Sequence, residues 1–271
     1  MELFRGGHKT RLMSAKYRLS DLSKVALADD EVAEILRASE KLAILVGGQA
    51  LSIWANFYQV AIPPVLTANV TRDVDFIGSA EAALVVKDAL SNKDWKFEQV
   101  RPGALSRVTA QLTLQTDNGI NEIDFLGSIV GLHTDDVRRR AVPLELRVGS
   151  VVTVLHPLDV LASRLHNLAD IPEKRNDKGV AQAELAIGIA GAFLQDTLAH
   201  RTERELFNQI ERIRIIVTND AIATICRRYA LDVLSCVPID QITNENFKTL
   251  RWPQTQREVE SKVNILLQGD P

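Results

Sequence analysis

The chain has 271 residues, 46% hydrophobic and 25% charged, with a formal net charge of −3. That balance excludes a disordered or low-complexity protein and supplies apolar material for one large domain or two smaller ones. It also excludes nucleic-acid binding driven by bulk charge, so an anionic partner would have to meet a local basic patch.

Only two cysteines occur, Cys226 and Cys236, without metal-ligand spacing. They read as reduced residues of a cytoplasmic protein, not as a disulfide scaffold. The N-terminal stretch carries Arg5, His8, Lys9, Arg11, Lys16 and Arg18, but no apolar run of signal-peptide length follows it. Apolar runs such as Ala186 to Leu194 are too short to span a bilayer. The expectation is a cytoplasmic protein with no membrane partner.

Residues up to Leu27 have no sustained periodicity and read as an arm with one turn of helix. A helix is then expected from Asp29 or Asp30 through Lys41, with Val32, Ile35 and Leu36 as its apolar stripe. Leu42 to Val46 reads as a short buried strand ending at Gly47-Gly48, followed by a helix from Ala50 to Tyr58. Ile62-Pro63-Pro64 breaks that helix. Asp73-Val74-Asp75-Phe76-Ile77 alternates polar and apolar residues as a half-buried strand does. Ala80 to Leu90 has a helical pattern. Strand patterns follow at Trp95 to Val100, Arg107 to Gln115 and Ile120 to Leu126. Asp117-Asn118-Gly119 joins the last two as a hairpin turn, because Asn-Gly adopts the positive φ such turns need. Extended runs at Leu144 to Arg147 and Val151 to Leu155 flank Gly149.

Beyond His156-Pro157 the pattern is helical: Leu158 to Leu168, Val180 to Thr197, Glu203 to Val217, Ala221 to Leu231 and Arg257 to Leu267. The expected fold class is α+β, with a small mixed sheet flanked by helices in residues 1–155 and an all-helical half in residues 156–271.

Three features carry chemistry. Gly47-Gly48, between a strand and a helix, leaves backbone N–H groups uncovered where the helix dipole favours an anion, as a phosphate cradle requires. The bland alternative is close packing at the turn. Asp73 and Asp75 stand two apart on a strand, so both carboxylates face one way. Like charges so close raise each other's pKa unless a cation intervenes, and hard oxygen ligands suit Mg²⁺. The bland alternative is the polar face of an edge strand. Asp124 stands in a similar setting: Asp124-Phe125-Leu126-Gly127-Ser128 echoes Asp75-Phe76-Ile77-Gly78-Ser79. If the two strands are neighbours, the three acids converge, as in sites for in-line phosphoryl chemistry. Glu122 shares the face of Asp124 as a reserve ligand.

Gly47-Gly48, Asp73-x-Asp75 and the later Asp124 resemble the nucleotidyltransferase fold of the DNA polymerase beta superfamily, and most closely its bacterial abortive-infection type (AbiEii-like) branch. The resemblance covers Leu42 to Leu126. It extends more loosely to His156-Pro157-Leu158-Asp159-Val160-Leu161 and to Lys174-Arg175-Asn176-Asp177-Lys178. It implies Mg²⁺ held by Asp73, Asp75 and Asp124 and phosphate contact at Gly47 and Gly48. Further phosphate contact is implied at Arg164, Lys174, Arg175 and Lys178. The implied activity is transfer of a nucleoside monophosphate from an NTP to an acceptor, in a toxin-like enzyme. The acceptor is left open among a tRNA end, a protein hydroxyl and a small molecule, and an operon-encoded protein is a further partner. The chain departs from the family pattern in the long Gly48–Asp73 gap with Pro63-Pro64, in Gln49, and in the register of the basic-acidic motif around Asp177. The competing reading is a lapsed transferase fold that binds a nucleotide, RNA or protein without turnover.

Other residues take bland readings. His133, His156 and His166 lack metal spacing. Arg138-Arg139-Arg140 after Asp135-Asp136 reads as a solvated charge run. Trp54, Phe57 and Tyr58 read as core, and Ser52 and Ser79 have no partnered histidine.

Overall fold

The computed structural model describes residues 11–12, 29–40, 42–67, 73–91, 93–101, 106–116, 119–145 and 151–268. Contacts divide the chain into two units, residues 1–59 with 67–156 and residues 60–66 with 157–271. The fold class is α+β with a helical C-terminal half.

The first unit is built on one sheet. Its strands are β1 (Arg11–Leu12), β2 (Ile44–Leu45), β3 (Asp73–Ile77), β4 (Lys96–Gln99), β5 (Val108–Thr116), β6 (Gly119–Leu126), β7 (Val142–Glu145) and β8 (Val151–Val154), in the order β1-β7-β8-β2-β3-β6-β5-β4. The sheet is mixed: β3 runs parallel to β6 and antiparallel to β2, while β5 and β6 form an antiparallel hairpin. Alternation sets its faces. Val74, Phe76, Ala110, Leu112, Ile123 and Phe125 are buried, and the residues between them are half-buried. Phe76 and Phe125 stack at 5.5 Å between ring centroids, which joins β3 to β6 on the apolar face. Helix α4 (Ala80–Ala89) packs on β5 and β4 and also meets α1 (Asp29–Ser39). Ser79 caps α4 by accepting from the Ala82 N–H.

Several expectations shift. The region before Leu27 is not wholly an arm, because Arg11–Leu12 adds a parallel strand to β7; the rest of that region lies outside the described residues. Helix α2 (Gly47–Tyr58) starts at the double glycine and not at Ala50, because Gly47 takes a left-handed φ of 65° and turns the chain directly into the helix. Strand β7 lies two residues earlier than Leu144 to Arg147, and Arg147 and Gly149 are outside the described residues. So are Asp117 and Asn118; Thr116 pairs with Gly119. The Asp135–Arg140 charge run forms a short helix, α5 (Thr134–Arg140), with acids in its first turn and arginines in its last. That arrangement complements the helix dipole. Trp54, Phe57 and Tyr58 pack on one another, and the Trp54 Nε1–H donates to the Leu155 carbonyl at 2.7 Å.

The second unit holds α6 (Pro157–Asp170), α7 (Asp177–His200), α8 (Glu203–Val217), α9 (Asp220–Arg228) and α10 (Trp252–Gln268), with residues 60–66, which carry most of α3 (Pro64–Thr67). Helix α6 is the hub, packing on α7, α8 and α9. Side-chain caps set the boundaries: Asn176 accepts from the Gly179 N–H, Thr202 and Glu205 form a reciprocal capping box, and Asn219 accepts from the N–H groups of Ala221 and Ile222. Helix α10 begins at Trp252, ahead of the expected Arg257, and follows a π-helical turn at Phe247–Arg251. Among the described residues no helix is long and apolar enough to cross a membrane.

Candidate metal and phosphate site

The centre of the sheet brings two acids from distant parts of the chain side by side. Strands β3 and β6 pair in parallel with Asp75 directly opposite Asp124 and Asp73 opposite Glu122. Paired residues of parallel neighbours point to the same face, and both Asp75 and Asp124 are half-buried beside the apolar stack of Phe76 and Phe125. The backbone register therefore sets Asp73, Asp75, Glu122 and Asp124 on one face. The side chain of Asp73 lies outside the described ones. Among the described residues no three acidic, histidine or cysteine side chains form a metal-holding group, so the described part of the site is the pair Asp75 and Asp124.

Gly47 lies against Asp75. The Val46 N–H donates to the Asp75 carbonyl at 2.9 Å, which ties the end of β2 to β3 just before α2 begins. At Gly47 an added Cβ would overlap the Oδ2 atom of Asp75 and stand 2.8 Å from its Cγ. The Asp75 carboxylate thus sits on the first residue of α2. Val46 offers that helix no side-chain cap, and the first-turn N–H groups of a helix have no intrahelical acceptors. An anionic group is favoured at that point by the helix dipole.

One residue of the site was not singled out from the sequence. Gln111 on β5 stands opposite Asp124, and its Nε2 donates to the Asp124 Oδ1 at 2.7 Å. A neutral donor fixes the orientation of the carboxylate without cancelling its charge, as partners of metal ligands commonly do. The turn signal pointed to a neighbouring register: an Asn118-Gly119 turn would pair Asp117 with Ile120 and put Thr113 opposite Asp124, whereas Thr116 pairs with Gly119 and Gln111 with Asp124. Thr109 adds a second tie, its hydroxyl hydrogen-bonding with the carbonyls of Gly78 and Phe125 at 3.0 and 2.9 Å.

The basic candidates belong to the second unit, where Arg164 and Arg175 have hydrogen-bond partners. Arg164, on α6, is buried and donates from Nη1 to Gln182 Oε1 at 3.1 Å. Arg175 closes the C-terminal end of α6, donating to the carbonyls of Leu168 at 2.9 Å and Ala169 at 2.5 Å. Lys174 ends the short 3₁₀ turn Pro172–Lys174, and its backbone carbonyl lies so near Gly179 that a Cβ would collide with it. Lys178 lies in the first turn of α7. Lys174, Arg175 and Asn176 thus belong to the α6–α7 connection, in which Arg175 closes the end of α6 and Asn176 caps α7.

The remaining polar residues have local roles. His166 Nδ1 lies 2.9 Å from Asp170, one helical turn along α6. Asp136 is held below the usual carboxylate range chiefly by its hydrogen bond from Arg139. Both cysteines are free, and burial pushes each thiol up to about 12. No protein-family model matches the chain, and no curated protein is detectably similar to it.

Proposed function

We propose that the first unit is the core of a Mg²⁺-dependent nucleotidyltransferase that moves a nucleoside monophosphate from an NTP to a hydroxyl acceptor, acting in the cytoplasm. One observation carries this reading: Asp75 and Asp124 are in register on parallel central strands, with the Asp75 carboxylate against the Gly47 turn. Two half-buried carboxylates side by side repel each other when ionised, and a divalent cation relieves that repulsion.

Asp75 and Asp124 would hold the ion, with Asp73 joining them through its place two residues before Asp75 on β3. Bound there, Mg²⁺ supplies charge neutralisation along the triphosphate and acidifies the acceptor hydroxyl. The chain does the rest. The first turn of α2 at Gly47-Gly48 offers N–H groups to the phosphates. Gln111 keeps Asp124 turned toward the reacting oxygens. The acceptor oxygen bonds to the α-phosphorus as the α–β bridging bond breaks, pyrophosphate leaves, and the acceptor proton passes to Asp124. The acceptor class stays open among RNA ends, protein hydroxyls and small molecules.

The test is label transfer from α-labelled NTPs with Mg²⁺, comparing wild type with Asp75→Asn and Asp124→Asn. Transfer and pyrophosphate release should be lost in both variants, with melting temperature unchanged or slightly raised because one of two repelling charges is gone. Variants that unfold would make the acids structural. Saturable NTP binding without turnover in the wild type would identify the protein as a binding module.

A further inference from the structure

The second unit contains a cavity that the proposed transfer chemistry does not use. It has a volume of about 630 Å³ and lies among α9, the loop Leu231–Asp240 and the first turns of α10. Its size falls within the range of small-molecule sites, roughly 300–1,000 Å³. The floor is apolar, with Val217, Ala223, Leu231 and Trp252 all buried. The rim is acidic: Asp232, Asp240 and Glu260 line it against a single arginine, Arg227. Asp232 has a local role, accepting from the Ser235 N–H at 3.2 Å. Among the described residues, Asp240 and Glu260 have no ion-pair partner, and both are exposed. Ala230, also lining the cavity, holds a left-handed φ of 53°. That conformation ends α9, where the Leu231 N–H donates to the Cys226 carbonyl at 2.8 Å.

We propose that this cavity binds a small organic cation with an apolar body, the body seated on the Trp252 floor and the ammonium group at the Asp240–Glu260 rim. The charge pattern selects the sign of the ligand. An anionic amphiphile would bring its charge to a rim with three carboxylates and one guanidinium, and a neutral one would gain only the apolar burial. An exposed carboxylate–ammonium pair contributes modestly, but two such carboxylates both attract a cation and repel an anion, and together they separate the two by about tenfold in affinity.

Three probes with one apolar body isolate the charge: phenylbutylamine, phenylbutanol and phenylbutyrate, each titrated into the full-length protein by calorimetry and by tryptophan emission. The amine should bind one saturable site about tenfold more tightly than phenylbutyrate, with phenylbutanol between them. Asp240→Asn/Glu260→Gln, which changes only exposed side chains, should bring the three probes to within about twofold of one another. Gln256→Trp, which places a ring at the exposed mouth, should weaken all three together, and Trp252→Phe should remove the emission change while calorimetric binding remains. Equal binding of amine and phenylbutyrate to the wild type would overturn the proposal. So would a preference that survives in the charge-neutral variant, or no saturable amine binding.

Discussion

Replacing Gly47 with alanine tests how closely the turn and the acid pair depend on each other. Gly47 has a φ of 65°, which costs a residue bearing a Cβ about 1–2 kcal/mol. The new methyl would overlap Oδ2 of Asp75 and stand 2.8 Å from its Cγ and 3.0 Å from its Cβ. Because Cγ and Cβ are both too close, spinning the carboxylate alone does not clear the clash. The Asp75 side chain must leave its rotamer well, at about 0.5–1.5 kcal/mol. Gly47→Ala should therefore destabilise by roughly 2–3 kcal/mol in all, lowering the melting temperature of the first unit by roughly 4–12 °C. It should also weaken Mn²⁺ binding, since the displaced carboxylate is a proposed ligand. In an Asp75→Ala background the φ cost remains while most of the clash disappears. A four-protein cycle by urea titration should thus give a coupling of about 1 kcal/mol. If Gly47→Ala costs less than about 0.5 kcal/mol, or costs the same with and without the Asp75 side chain, Gly47 does not touch Asp75 and the turn is no part of a metal and phosphate site.

Gln111→Leu removes the donor that holds Asp124 Oδ1 and should weaken Mn²⁺ binding by about 10–100-fold. Unchanged binding by electron paramagnetic resonance would remove Gln111 from the site. Ala230→Gly relieves a left-handed φ of 53° and should raise unfolding stability by about 0.5–1 kcal/mol; a loss in thermal denaturation would contradict this. Glu211 accepts hydrogen bonds from Arg214 that hold its pKa below the ordinary 4.5. A depressed carboxylate contributes stability above its unfolded pKa and loses it as pH falls through the folded one. Acidification below pH 4.5 should therefore destabilise wild type more than Arg214→Met, by less than about 1 kcal/mol since Glu211 is well exposed. Parallel denaturation curves for the two proteins across that range would exclude the pair as a source of acid sensitivity.

The acid-bearing strands and the helical half were legible in the sequence because their signals are local. Val74 and Phe76, and likewise Ile123 and Phe125, alternate with polar residues, so a strand with one buried face follows from the pleat alone. The helices after Pro157 show their apolar stripes and caps within single segments. Elements whose causes lie elsewhere in the chain were not legible. Nothing near Arg11–Leu12 marks a strand, because its reason is the β7 edge it pairs with. Residues 60–66 give no local sign that they belong with the helical unit. The α2 start was misjudged because glycine discourages helix in general, whereas here the φ at Gly47 and the nearness of Asp75 demand it.

By itself, then, the order of residues determined the acid-bearing strands and the helical half, and that Asp73, Asp75 and Asp124 each sit on a polar strand face. Only the tertiary structure decided that β6 lies beside β3, in parallel and in the register that puts Asp124 opposite Asp75. The physical reason is that pairing between strands far apart in the chain is chosen by joint burial. The stacking of Phe76 on Phe125 selects one register among several that each strand's own alternation permits.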